Sequence, residues 1–159
     1  MERFAVKNRY ISAILGSMLL GAALPGVADA LSVKQFTLVS DPATAVVDVS
    51  GITMPPLPGQ PLTIRESLVD RNGRSAGTAA IDCVVAAFTT TDLLLDCRAH
   101  FVLAGGSIDG HAVFLTSQHD YPAVVLGGTG AYQGVLGTVR VLDRAPGDET
   151  YVFSLLSLT

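Results

Sequence analysis

The chain has 159 residues, of which 49% are hydrophobic and only 15% are charged, and its mean hydropathy is +0.47. This composition is too apolar for a disordered protein. The 14 acidic and 10 scattered basic residues do not form the clustered positive surface that nucleic-acid binding requires. Sixteen glycines and eight prolines indicate a single domain with many turns.

The first 30 residues have the three-part pattern of a secretory signal peptide. Basic residues precede an uncharged apolar run over 11–24, and Ala28-Asp29-Ala30 supplies the small residues of a cleavage site. The run is short for a transmembrane helix, which needs about 20 residues. We therefore predict a signal peptide over 1–30, a domain over 31–159 and a secreted or periplasmic protein without stable membrane insertion. The alternative is a cytoplasmic protein that retains an N-terminal helix.

The rest of the chain consists of short β-branched runs that are separated by clusters of Asp, Gly and Pro. We predict strands over 33–39, 44–52, 62–69, 78–88, 92–103, 108–116, 122–127, 135–142 and 150–158. Eight or nine short strands at nearly regular spacing favour an all-β antiparallel barrel or sandwich.

Alternation within two of these strands predicts which face is buried. In 62–69, Glu66 shares a face with three aliphatic side chains, and in 92–103 a continuous apolar face lies opposite Asp92, Asp96, Arg98 and His100. Such a period of two indicates one buried and one wet face. Glu66 is therefore predicted to point inward, where burial raises the pKa of a carboxyl group. A one-residue slip of this strand would turn it outward instead.

The two cysteines fall opposite each other if 78–88 and 92–103 form a hairpin. This register pairs Cys83 with Cys97 and Asp82 with Arg98, and directly opposed cysteines are close enough to bridge. In an exported protein we expect a Cys83–Cys97 disulfide. In a reducing compartment both would be free thiols.

A second hairpin is predicted around a Gly105-Gly106 turn. This turn places His100 opposite His111 on the outer face, with Asp109 nearby. Zinc requires three or four ligands, and this set lacks them, so we predict solvated histidines and no metal.

The C-terminal half resembles the allene oxide cyclase and dirigent barrel superfamily. The resembling segments are Gly105-Gly106-Ser107-Ile108-x-Gly110 and the glycine-rich run AVVLGGTGAYQGVLGTV over 123–139, preceded by LVDRNGR over 68–74 and Cys83-Val84-Val85. The likeness spans about residues 62–158. It implies an eight-stranded antiparallel β-barrel with an apolar cavity, which agrees with the strand count.

The resemblance also implies a function. Members of the superfamily either close a ring in a flexible apolar substrate or, as dirigent proteins, steer the coupling of reactive radicals, and neither activity requires a cofactor. We therefore predict a cofactor-free cyclase or isomerase for a small apolar molecule that is polyketide-like or fatty-acid-like. The alternative is a secreted, non-catalytic barrel that binds a lipid-like ligand or steers coupling.

The site residues follow from the fold and the resemblance together. Cys83 matches a cavity cysteine of the plant cyclases, and Glu66 occupies the position of an asparagine that helps to hold a catalytic water there. We predict Glu66 as a general acid or hydrogen-bond donor to a substrate oxygen, and Cys83 as a second catalytic candidate if its thiol is free. The aromatic residues predicted to bind substrate are Phe101, Phe114, Tyr121 and Tyr132. Tyr121 and Tyr132 would lie at the cavity mouth, and the alternative for both is that they pack against turns.

The outer face of the cysteine hairpin and its neighbour is predicted to be partly apolar. The residues concerned are Val84, Ala86, Phe88, Val102, Val113 and Leu115. Exposed apolar surface of this extent is typical of an interface, so we expect a homodimer or a homotrimer.

Overall fold

A computed structural model describes residues 31–143 and 148–158 and confirms the all-β prediction. Its strands are β1 (Leu31–Ser40), β2 (Val46–Asp48), β3 (Pro61–Val69), β4 (Ser75–Phe88), β5 (Leu93–Leu103), β6 (Gly106–Leu115), β7 (Asp120–Gly128), β8 (Leu136–Asp143) and β9 (Glu149–Leu158). A single 3-10 turn occupies Gly130–Tyr132. Within these residues no helix has the length and apolar character needed to cross a membrane. The predicted leader over 1–30 lies outside the described residues.

The strands close into an eight-stranded antiparallel barrel, as predicted. From β3 to β9 each strand pairs with the next, and β9 pairs with β1 over nine positions. The barrel closes where β1 meets β3, at Val39 opposite Val69 and Ser40 opposite Leu68. The short strand β2 adds to β3 outside this ring. The predicted strand over 44–52 is thus reduced to three residues, all of them exposed.

The cysteine hairpin has the predicted register. Cys83 lies opposite Cys97 and Asp82 lies opposite Arg98. The register shifts by one residue between Val85 and Ala87, which marks a β-bulge close to the turn. Next to the turn Phe88 pairs with Leu93, a register that on its own would place Cys83 opposite Arg98. The bulge therefore brings Cys83 opposite Cys97, and the structure joins the two in a disulfide.

The histidine register was predicted wrongly. His100 lies opposite Asp109 rather than His111, and its Nδ1 is 2.6 Å from an Asp109 carboxylate oxygen. The Nε2 atom of His111 is 2.8 Å from a carboxylate oxygen of Asp96. The two histidines thus contact separate aspartate side chains on the outer face. No group of three or more His, Cys, Asp or Glu side chains in residues 31–143 and 148–158 is arranged to hold a metal ion.

The cause of this error is the position of the turn between β5 and β6. Leu103 pairs with Gly106, so the turn consists of residues 104–105 and Gly106 belongs to the strand. Gly106 has a φ of 140°, and a Cβ atom there would lie 2.1 Å from the carbonyl oxygen of Thr129. The second glycine is therefore required by the close approach of the β7–β8 connection, not by the turn.

The barrel interior contains two groups of buried side chains. The larger includes Leu38, Leu68, Ala79, Phe101, Ile108, Val125, Tyr132, Val135, Val139, Val141, Tyr151, Phe153 and Leu155. The smaller contains Leu62, Cys83, Val85, Leu95 and Cys97. The smaller group lies toward the end of the barrel that carries the β4–β5, β6–β7 and β8–β9 connections, which we call the open end. The β3–β4, β5–β6 and β7–β8 connections lie at the opposite end, which we call the packed end.

The outer surface is partly apolar, as predicted. Val84, Phe88, Val102 and Val113 on β4, β5 and β6 are each between 42% and 51% exposed. A second apolar row crosses three neighbouring strands, because Leu156 pairs with both Val33 and Leu136, and all three are exposed.

Candidate functional site

A cavity lies between the two groups of buried side chains. Its volume is about 60 Å³, enough for a few water molecules. Pockets that enclose drug-sized ligands have volumes of about 300–1,000 Å³. An organic ligand can therefore enter only if side chains around the cavity move.

The wall of the cavity is almost entirely apolar. Its aliphatic and aromatic residues are Ile64, Ile81, Leu95, Ala99, Phe101, Ala112, Phe114, Ala123, Val139 and Val141. The disulfide forms part of the same wall, since both Cys83 and Cys97 line it. Three ionisable side chains complete the lining, namely those of Tyr121, Glu149 and Tyr151. His111 borders the cavity too, but its side chain contacts Asp96 on the outer face. Such a wall suits an apolar molecule with few polar groups.

Three of the four predicted substrate-binding aromatic residues line the cavity. Phe101 lies in its interior part, where its ring meets that of Tyr151 edge-on at 5.2 Å. Phe114 and Tyr121 flank the β6–β7 connection at the open end, and their rings stack with centroids 3.9 Å apart. These two rings are placed to control access from the open end.

Tyr132 is not part of the cavity, and the structure shows the alternative, in which it packs against a turn. It is buried in the 3-10 turn between β7 and β8, at the packed end of the barrel. Its ring packs 6.3 Å from that of Phe36, and the ammonium of Lys34 lies 5.1 Å from its centroid. The backbone of Gly128 passes so close that a Cβ there would meet Tyr132 at 2.8 Å. Tyr132 therefore helps to fill the packed end.

Glu66 points inward, as its strand pattern predicted. It is 4% exposed and pairs with Ala79 before the register shift in β3, so the outward alternative was wrong. The hydroxyl of Tyr151 lies 2.6 Å from Oε1 of Glu66, whereas the buried Oε2 has no hydrogen-bond partner. Burial raises the pKa of Glu66 from 4.5 to about 7, against the opposing effect of the Tyr151 hydrogen bond, and nearby Glu149 raises it further.

The two cavity tyrosines remain protonated at neutral pH. Burial and the nearby Glu66 carboxyl raise the pKa of Tyr151 well above its usual value of 10. Burial also raises the pKa of Tyr121, and negative charges on Asp143, Glu149 and Glu66 add to the effect. Both hydroxyls are thus hydrogen-bond donors, not phenolate bases.

A further carboxyl group, that of Glu149, lies at the open end of the cavity. The hydroxyl of Ser40 donates to Oε2 of Glu149 at 3.1 Å, and the Glu149 backbone N–H donates to the same Ser40 hydroxyl at 2.9 Å. Ser40 is itself 1% exposed. This reciprocal contact fixes the end of β1 against the start of β9 and holds Glu149 at the wall.

The disulfide removes the free thiol that a catalytic role of Cys83 would require. A cysteine in a disulfide has no thiolate, so Cys83 cannot act as an acid, a base or a nucleophile in the oxidised protein. Glu66 and Tyr151 are then the polar pair at the interior part of the cavity. Tyr151 contacts the cavity directly, and Glu66 lies behind its hydroxyl.

Sequence reasoning missed Tyr151 and Glu149, although the pattern that identifies them is present. Residues 149, 151, 153 and 155 alternate along β9, and Tyr151, Phe153 and Leu155 are all buried. The same period of two that placed Glu66 inward therefore places a hydroxyl and a carboxyl group on the inner face of the last strand.

No family model matches the chain, and no curated protein does. Among solved structures, a pyocyanin demethylase matches with a TM-score of 0.62 and 20% identity, over 78% of this chain and 99% of that one. A cyclase described as nonspecifically heme-binding, which catalyses a [4+2] cycloaddition, has a TM-score of 0.60 and 18% identity. The match covers 82% of this chain and 65% of the cyclase. The pterocarpan synthase dirigent protein PsPTS1 has a TM-score of 0.53 and 14% identity, and the match covers 82% of this chain and 96% of the dirigent protein. These likenesses confirm the predicted barrel fold.

Proposed function

We propose that the barrel binds a small, uncharged, apolar molecule and promotes its ring closure or isomerisation, with Tyr151 donating a hydrogen bond to a substrate oxygen. The observation that carries this proposal is the position of Tyr151, whose hydroxyl is a hydrogen-bond donor in the interior part of a mostly apolar cavity. The cycloaddition named for one protein of the same fold supports the reaction class.

Two physical effects would accelerate such a reaction. A dry, shaped cavity selects folded conformers of a flexible chain, which lowers the entropic part of the barrier. A hydrogen bond from Tyr151 to a carbonyl oxygen withdraws electron density from a conjugated double bond and makes its carbon atoms more electrophilic. A fixed donor of this kind accelerates reactions by about 10²–10³-fold in other enzymes. Neither effect needs a cofactor, and a cofactor-free reaction is part of the proposal.

The substrate must first widen the cavity. Rotation of the Phe114 and Tyr121 rings away from each other would open the wall beside the β6–β7 connection. The hydroxyl of Tyr151 lies deeper, next to Phe101, so an entering molecule would reach it with its leading end. A substrate with a terminal carbonyl group and an apolar chain fits this order of contacts.

A linear ketone with an enone at one end and a conjugated diene at the other tests the proposal directly. Ring closure removes the diene absorbance, so the rate can be followed with the full chain after exhaustive dialysis against a chelator. An absorption spectrum of the dialysed protein shows whether heme is bound. We expect acceleration by the wild-type protein and a kcat about 10²–10³-fold lower for Tyr151→Phe. The matched control is Tyr132→Phe, which removes a hydroxyl outside the cavity and should leave the rate unchanged.

The alternative outcomes separate the candidate functions. Binding of the ketone without any acceleration would favour a non-catalytic barrel that binds a ligand or steers coupling. Absence of binding, as judged by tyrosine fluorescence, would overturn the proposal. A Tyr151→Phe variant as active as the wild type would remove Tyr151 from the mechanism.

Export and self-association are also proposals. The disulfide and the leader pattern together favour an oxidising compartment such as the periplasm or the extracellular space. Intact mass with and without reductant tests cleavage after Ala30 and the state of the cysteines. The two apolar outer surfaces favour a homodimer or homotrimer, and light scattering after size exclusion that gives a monomer would contradict it.

A further inference from the structure

The carboxyl group of Glu66 is buried and only half of it is hydrogen-bonded. Its Oε2 atom is buried without a hydrogen-bond partner, and Oε1 contacts only the Tyr151 hydroxyl. A buried carboxylate with one oxygen unpaired is costly, because it has lost its hydration without replacement. The neutral carboxylic acid is less costly in such a place.

The direction of the Tyr151–Glu66 hydrogen bond decides what Tyr151 can offer to a ligand. The two oxygens are 2.6 Å apart, and either group can be the donor when Glu66 is protonated. If Tyr151 donates to Glu66, its single proton is occupied and a substrate oxygen receives nothing. If Glu66 donates to Tyr151, the phenolic proton is free to turn toward the cavity.

We propose that Glu66 is a positioning residue that acts as a neutral acid, donates to the Tyr151 oxygen and leaves the Tyr151 proton for an uncharged acceptor oxygen of the substrate. This inference rests on the proposed function and specifies its substrate class. The raised pKa of Glu66, about 7, is consistent with a protonated group at and below neutral pH.

The same arrangement disfavours a carboxylate ligand. Among the described residues that line the cavity there is no lysine or arginine, whereas Glu149 lines it. A fatty-acid carboxylate placed near Tyr151 would meet these acidic groups without a cation to pair with. The substrate class is therefore a ketone, ester or similar neutral carbonyl compound, rather than a free acid.

Other titratable groups face this region and must be separated from Glu66 in any pH experiment. Glu149 and Tyr121 line the cavity, and Asp143 raises the pKa of Tyr121 through its charge. His111 borders the cavity, but its side chain contacts Asp96 on the outer face. A substitution at Glu66 itself distinguishes its titration from theirs.

The test compares 1-indanone with indane, two probes that differ only in a carbonyl group. The ratio of their Kd values for the full chain, followed by tyrosine fluorescence from pH 6 to pH 8.5, measures the contribution of that carbonyl. We expect the wild-type preference for 1-indanone to fall by up to about 30-fold over this range, in proportion to the protonated fraction of a group that titrates near pH 7. Binding of indane should not change.

Two variants complete the design. In Glu66→Gln the side-chain amide donates to Tyr151 at every pH, so the preference for 1-indanone should persist and lose its pH dependence. In Tyr151→Phe the preference should be absent at every pH. Indane-1-carboxylate should bind the wild type more weakly than indane at pH 8.5.

Each failure has a distinct meaning. A wild-type preference that does not change with pH overturns the role of Glu66, and this result needs no variant. A Glu66→Gln protein with the wild-type pH dependence overturns it as well, because another group then titrates. Retained preference in Tyr151→Phe overturns the proposed function itself. Tighter binding of indane-1-carboxylate than of 1-indanone overturns the substrate class.

Discussion

Replacing Glu66 with glutamine should change how the stability of the protein depends on pH. The pKa of Glu66 is about 7 in the folded protein, against 4.5 for the exposed group. Between these values the folded chain holds a proton that the unfolded chain has released. The free energy of unfolding therefore decreases as the pH rises from about 4.5 through about 7.

The size of the effect follows from the two pKa values. A tenfold difference in proton affinity corresponds to about 1.36 kcal/mol, so the full effect is at most about 3 kcal/mol. Between pH 5 and pH 8 the wild type should lose about 2–3 kcal/mol of unfolding free energy through this group. Because Glu66 is only 4% exposed, solvent screening reduces this figure little.

Urea unfolding without reductant, at pH 5 and at pH 8, measures the effect. The stability difference between Glu66→Gln and the wild type should move by about 2–3 kcal/mol in favour of the variant at the higher pH. Glutamine has nearly the same shape and can also contact Tyr151, so packing changes should cancel between the two pH values. Parallel pH profiles for the two proteins would refute a raised pKa at Glu66.

Three further predictions concern the frame of the site. Removing the disulfide with Cys83→Ala and Cys97→Ala should lower the free energy of unfolding by about 3 kcal/mol, because the bridge joins residues that are 14 positions apart. Urea unfolding measures this change, and a decrease of less than about 1 kcal/mol would contradict the prediction. Gly137→Ala would place a Cβ 2.1 Å from a β9 carbonyl oxygen and should lower the melting temperature. Gly59→Ala is the control, because Gly59 also has a positive φ but a Cβ atom added there would have no atom within 4 Å. Equal decreases in melting temperature for the two variants would contradict the close contact at Gly137. Phe114→Ala should enlarge the cavity and improve naphthalene binding relative to indane, and an unchanged Kd ratio would exclude Phe114 as a size limit.

The fold could be predicted because its determinants are local. Apolar alternation marked most strands to within a few residues, and the same alternation placed Glu66 on the inner face. The Cys83–Cys97 pair was predicted from a short hairpin, and in the structure the bulge between Val85 and Ala87 brings the two residues opposite each other. These features depend on residues that are close together in sequence, and a single chain displays them directly.

The features that were mispredicted depend on contacts across the barrel. From the sequence, the turn after β5 could include Gly106 or end at Gly105. The close approach of Thr129 to Gly106 explains why Gly106 belongs to the next strand. The sequence left open whether Tyr132 lines the cavity mouth or packs against a turn, because the outcome depends on packing against Phe36. The partner of Glu66 was likewise not predictable, since Tyr151 is 85 residues away and the stagger of the strands brings the two together.

The unequal filling of the barrel has a consequence for how the protein can diversify. The packed end holds most of the large buried side chains, including Phe153 and Ile108, which are completely inaccessible to solvent. The cavity side chains near the open end, such as Phe114 and Tyr121, make a smaller contribution to this core. Substitutions at the open end can therefore alter the shape offered to a ligand while the packed end continues to drive folding. The same barrel can thus acquire side chains for new ligands while it keeps the residues that stabilise its fold.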